Sequence, residues 1–99
     1  MTTALTLTTG NDSAGAPVLT AVGEIDMSNA ETFAAALHGA VTPAGRALLV
    51  DLTAVEYLDS AGLAALFRHA DRIEVLTGPL LAPLLAVSGL ADLTTVHRR

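Results

Sequence analysis

No cysteine occurs in this chain of 99 residues, which excludes disulfides, thiolate catalysis and cysteine-based zinc sites. Lysine is missing as well, and all five cations are arginine, at positions 46, 68, 72, 98 and 99. Dispersed as they are against ten acidic residues, they leave a net charge of −5 and a pI near 4.8. Such a chain lacks the basic face that direct nucleic-acid binding requires. Aromatic residues are scarce, only Phe33, Tyr57 and Phe67, so the core must be built from Leu, Val, Ile and Ala. Charged residues make up 15% of the chain and hydrophobic ones 52%, the reverse of a disordered profile. The length allows one small domain over 1–99, held by aliphatic packing with no covalent staple. The alanine-rich, lysine-free composition fits a GC-rich bacterial genome.

Met1 to Gly10 carry neither a basic residue nor a long apolar run, so no signal peptide is expected. The stretch from Val75 to Ala91 is uncharged and reaches the lower length limit of a membrane span. Gly78, Pro79, Pro83, Ser88 and Gly89 interrupt it. A buried strand followed by a helix is expected there, with no membrane insertion, in a cytoplasmic protein.

What is present reads as alternating strands and helices. Thr and Leu alternate over residues 3–9, the pattern of a half-buried strand. Turn residues fill Gly10 to Gly15, and a second strand follows at 18–22. Gly23 to Asp26 then hand the chain to a helix over 28–41, with Ala30, Phe33, Ala34, Leu37 and Val41 forming its core-facing stripe. Ser28 and Glu31 predict a capping box, and Thr42 to Gly45 predict the helix end. Ala47 to Val50, continued by Asp51 and Leu52, suit a central strand covered on both faces. Thr53 to Asp59 read as a loop at the sheet edge.

Residues 60–70 place Leu63, Leu66, Phe67 and Ala70 on one helical face, and a short strand follows at 73–77. A third helix lies within 79–88, closed by Ser88 and a left-handed Gly89. It begins either at Pro79, which puts Pro83 one turn in, or at Pro83 itself. A last strand is expected near 93–97. The order β-β-α-β-α-β-α-β predicts an α/β fold, a mixed sheet carrying helices.

Asp59-Ser60-Ala61-Gly62 is the most informative segment. It follows the buried strand and opens an amphipathic helix, which makes Ser60 a candidate N-cap. The same geometry tolerates a phosphate, because a helix start presents unpaired N–H groups. A nucleophile elbow is excluded, since Leu58 stands where Gly-x-Ser-x-Gly needs glycine. The histidines at 38, 69 and 97 share no ligand spacing, and no glycine-rich phosphate loop is present. The chain reads as a non-enzyme with no cofactor and no metal.

Gly23-Glu-Ile-Asp26, Leu49-Val-Asp-Leu52, Tyr57-Leu-Asp-Ser-Ala-Gly-Leu63 and Val87-Ser-Gly-Leu90, in that order, resemble a STAS domain of the bacterial anti-sigma factor antagonists. The resemblance spans nearly the whole chain and implies a STAS-like mixed sheet with helices mainly on one face. It implies that the partner anti-sigma factor, a serine kinase, phosphorylates Ser60 and so switches binding off; the unphosphorylated form frees the sigma factor. Asp59 is then the neighbouring acid, and Gly62 lets the partner's backbone come close. Asp26 and the start of the first helix resemble the rest of the docking surface, alongside Ala61. Ala61 is a departure, because the second hydroxyl of the common Asp-Ser-Ser-Gly or Asp-Ser-Thr-Gly is absent. The stretch from Gly62 to Ser88 is also shorter than the family pattern, by about two helical turns. A second reading is a stand-alone STAS accessory subunit of a lipid-trafficking transporter, without a phosphate switch.

Overall fold

The computed structural model describes residues 4–41 and 45–99. Two strands open the chain, β1 (Thr6–Asn11) and β2 (Pro17–Ile25), followed by α1 (Ala30–Ala40) and β3 (Leu48–Leu58). Next come α2 (Ser60–Arg68), β4 (Ile73–Thr77), α3 (Ala82–Ser88) and β5 (Val96–Arg98). Single 3-10 turns, Ala70–Arg72 and Leu90–Asp92, follow α2 and α3. α2 has nine residues and passes into β4 through one 3-10 turn.

Asp12 makes the first hairpin, its Oδ1 accepting the N–H groups of Ala14 and Ala16, both at 2.9 Å. β1 runs antiparallel to β2, and every later pairing is parallel, in the order β1-β2-β3-β4-β5. Each parallel connection therefore advances one strand in the same direction. With right-handed crossovers, all three helices fall on one face. Burial agrees: Leu19, Ala21 and Ile25 of β2, Leu48, Val50 and Leu52 of β3, and Ile73 and Val75 of β4 share a core with Phe33, Leu37, Leu66 and Leu85 of the helices. Thr8, Thr20, Asp51 and His97 alternate with these positions and line the other face, where Glu74 and His97 pair at 2.7 Å. Among the described residues, no helix is long and apolar enough to cross a membrane.

Several local expectations are corrected. Thr53 to Asp59 are not a loop, since β3 continues to Leu58 and stays paired with β2 as far as Ile25. Two register shifts, between Thr20 and Val22 and between Gly23 and Glu24, break the alternation. Buried positions consequently run Leu52, Val55, Leu58, and the period of two is lost from the sequence. β4 pairs only with Leu48 to Asp51, so the second half of β3 projects past it and carries the start of α2 outward.

The Ser28–Glu31 capping box does not form either. α1 starts at Ala30, and Ser28 Oγ donates to Asp26 Oδ1 instead. The Asp26 carbonyl accepts the N–H groups of Asn29 and Ala30, at 3.1 and 2.8 Å. Asp26 wins because an ionised carboxylate is the stronger acceptor for a hydroxyl two residues away. The expected terminator at Thr42 and Pro43 lies outside the described residues. α3 resolves the choice at its start: it begins at Ala82, with Pro83 in the first turn, where a missing N–H costs nothing. Gly89, at φ 87°, closes it in the left-handed conformation.

Candidate functional site

β2 and β3 end level, Ile25 opposite Leu58, so the loop into α1 and the turn into α2 leave the sheet side by side. Asp59 joins them. Its N–H donates to the Ile25 carbonyl at 3.1 Å, and its Oδ2 accepts the Met27 N–H at 3.1 Å. Its Oδ1 accepts the N–H groups of Ala61 at 2.9 Å and Gly62 at 3.2 Å. Asp59, not Ser60, is therefore the N-cap of α2, which corrects the capping role expected of Ser60. Aspartate prevails because its two oxygens serve the first turn and the Met27 loop together.

Ser60 is left as the first helical residue, exposed and with no capping duty. Its hydroxyl stands at the electropositive end of a nine-residue helix, whose dipole tolerates a phosphate although Asp59 already holds the Ala61 and Gly62 N–H groups. Ala61 brings no second hydroxyl, so Ser60 is the one acceptor that the segment offers.

The Asp26 loop is as firmly held. Asp26 N–H donates to Asn29 Oδ1 and Asn29 Nδ2 donates to the Glu24 carbonyl, both at 2.9 Å. The Ser28 hydroxyl and N–H donate to the Asp26 carboxylate and hold its pKa below the usual 3.8. A lowered folded-state pKa means these bonds stabilise the loop above the ordinary carboxylate value and are lost as pH falls through the lowered one. The loop is intact at neutral pH.

Beside these groups Met27 is 82% exposed and Tyr57 49% exposed. Met27 is tied to Asp59 through its N–H, and Tyr57 stands opposite Glu24 across the two strands, so apolar surface is set among acids. Nothing in the sequence singles out Met27, whose role rests on the loop that displays it.

Gly62 requires a different account from the one the resemblance implies. It is buried, and a Cβ there would meet Ile25 Cγ2 and Leu58 Cδ1, each at 2.6 Å. The space expected for a partner's backbone is occupied by the protein's own core. Glycine lets α2 sit down on the ends of β2 and β3. Gly62→Ala should cost up to about 2 kcal/mol in urea unfolding, overpacking of about 1–3 kcal/mol less a gain in helix propensity of about 1 kcal/mol.

Among the described residues, no group of three or more His, Asp or Glu is placed to hold a metal ion. Residues 9–95 match the family model described as Mlab, STAS domain. Among solved structures, an anti-sigma factor antagonist from Mycobacterium paratuberculosis is 27% identical with a TM-score of 0.82, over 95% of this chain and 86% of that one. A protein with a SpoIIAA-like fold from Shewanella loihica is 15% identical with a TM-score of 0.65, over 98% of this chain and 86% of that one. That second likeness concerns the fold alone. No curated protein matches the chain.

Proposed function

This chain belongs to the STAS domain family, and from that premise we propose that it is an anti-sigma factor antagonist switched at Ser60. The unphosphorylated form binds an anti-sigma factor that is itself a serine kinase, and so frees a sigma factor. Phosphorylation of Ser60 by that kinase ends the binding. One observation carries the reading: Ser60 is exposed at the start of a helix whose cap is Asp59, so its hydroxyl is available for modification. The likeness to the mycobacterial antagonist supports the same role.

The partner surface comprises Asp26, Asp59, Ser60 and Ala61, with Gly62 beneath it. Because Asp59 ties the two segments together, a loss at one edge is felt across the surface. Asp26→Ala should weaken partner binding by at least about 1 kcal/mol, roughly fivefold, with the circular dichroism spectrum unchanged. Calorimetric titration checks it, and unaltered affinity removes Asp26 from the interface.

The direct test of the function is capture from native cell extract with wild type and Ser60→Ala, followed by mass spectrometry of partner and phosphosite. Recovery of a kinase-type anti-sigma factor, with phosphate on Ser60 of the wild type, is the expected result. Recovery of a permease and an ATPase, with no phosphate, favours the accessory-subunit reading instead. The match to a model described as Mlab, and the single hydroxyl beside Ala61, are what keep that second reading in view.

A further inference from the structure

α2 has a second end, roughly 12 Å from Ser60 at 1.5 Å of rise per residue. There the last turns of α1 and α2 and the 3-10 turn Ala70–Arg72 enclose a cleft of about 440 Å³. His38, Val41, Arg68, His69, Asp71 and Arg72 line it. The chain has five arginines, three histidines and ten acids; two of the arginines and two of the histidines meet here with a single acid, Asp71. In a protein of net charge −5, two arginines and two imidazoles are gathered around a single acid.

Part of this grouping has an ordinary cause. A basic or hydrogen-bond-donating side chain in a helix's last turn suits the negative end of the dipole, which accounts for His38 on α1 and Arg68 on α2. His69 also serves the end of α2, through its ring on the Ala65 carbonyl, whereas Arg72 lies beyond that turn. Among the described residues, no arginine forms an ion pair with a carboxylate, so Asp71 is paired with neither Arg68 nor Arg72. The His69 ring is oriented as well: its Nδ1 lies 2.9 Å from the Ala65 carbonyl, which can only accept. The ring proton therefore sits on Nδ1, and Nε2 is left for a ligand. The His38 ring stands edge-on to it, with centroids 6.3 Å apart.

We propose that this cleft binds a small phosphorylated molecule. Two unpaired guanidinium forks match the tetrahedral oxygens of a phosphate, which they contact bidentately. The imidazole Nε2 accepts from a protonated phosphate oxygen. Val41 supplies an apolar wall, and the volume exceeds that of a bare phosphate, within the range of small-molecule sites. The bound group is a phosphomonoester or a pyrophosphate. This site is separate from Ser60 and does not depend on how Ser60 is used.

The test is a titration of the 15N-labelled full chain with sodium pyrophosphate, followed by amide chemical shifts. Saturable shifts are expected at 38, 41 and 68–72, with at least tenfold weaker binding in the Arg68→Gln/Arg72→Gln variant. The proposal is overturned by shifts that never saturate, by shifts that sodium chloride reproduces at equal ionic strength, or by shifts centred on Ala61 and Gly62. If the double variant loses its dispersed spectrum, Arg68→Lys and Arg72→Lys replace it. Each keeps the charge but loses the fork, and unchanged affinity in both equally overturns the proposal.

Discussion

Phosphorylation of Ser60 is expected to weaken binding of the anti-sigma factor at least about 100-fold, close to 2.7 kcal/mol, while leaving the fold unchanged. The modification adds about −1.5 to −2 charges at the start of α2. Within the protein that charge is tolerable, because the helix N-terminus is electropositive and Ser60 is solvent-exposed. At the interface it is not. The first-turn N–H groups of Ala61 and Gly62 are already engaged by Asp59, so the new oxygens find part of their natural partners taken. Asp59 and Asp26 stand close by, and a phosphate buried against a partner meets like charge and an uncompensated loss of hydration.

The measurement is incubation with the cognate anti-sigma factor and Mg-ATP, mapping of the phosphate, and calorimetry on the modified form. Ser60→Ala should bind whether or not ATP is present. Phosphate on Ser88 or on a threonine, or full affinity after modification of Ser60, overturns the switch.

Asp59→Ala should be the most damaging single change at the site, at about 1–3 kcal/mol in urea unfolding. Loss of an N-cap carries about 0.5–2 kcal/mol. The Met27 N–H loses a charged acceptor as well, worth about 1.5–3 kcal/mol in general and under about 1 kcal/mol at this exposed position, where water replaces it. Asp59→Asn separates the two contributions, because its amide oxygen can keep either the cap or the Met27 bond but cannot carry charge to both. Ser60→Ala, by contrast, should cost under about 0.5 kcal/mol, as an exposed position away from any cap does. Equal losses for Asp59→Ala and Ser60→Ala would return the capping role to the serine.

That contrast also marks where reading the sequence succeeded and where it stopped. The Leu–Thr alternation before the first turn, the Phe33–Leu37 stripe, the strand at Ile73–Thr77 and the Gly89 stop were all legible, because each is set by local periodicity or by one residue's backbone preference. The end of β3 was not. Its pairing with β2 slips twice, and a slip erases the alternation by which a strand is recognised. The two serine caps failed for another reason. Ser28 is held by the Asp26 carboxylate two residues before it, while Ser60 stands beside an aspartate in range of the same N–H groups, and there a tertiary contact decided. For Asp59 the deciding contact is Met27, distant in sequence; for Gly62 it is Ile25 and Leu58. Asp26 and Ser60 are named by the resemblance alone, whereas the exposure of Met27 and the cleft behind α2 emerge only from the folded chain.

Strand order in this sheet repeats chain order, with no strand inserted between two earlier ones. The unit from β2 through α1 to β3 therefore closes the Asp26–Asp59 surface before β4 or β5 is needed, and during synthesis the surface can form as soon as this stretch is free. Cooperative opening should follow the same gradient in reverse. The short β5 lies at the far edge, and native-state hydrogen exchange should find its amides the first to open, while Leu19, Val50 and Leu52 exchange only on global unfolding. Fraying at that edge leaves the Ser60 surface assembled. A kinase or a partner thus meets the same surface whether the far edge is closed or open.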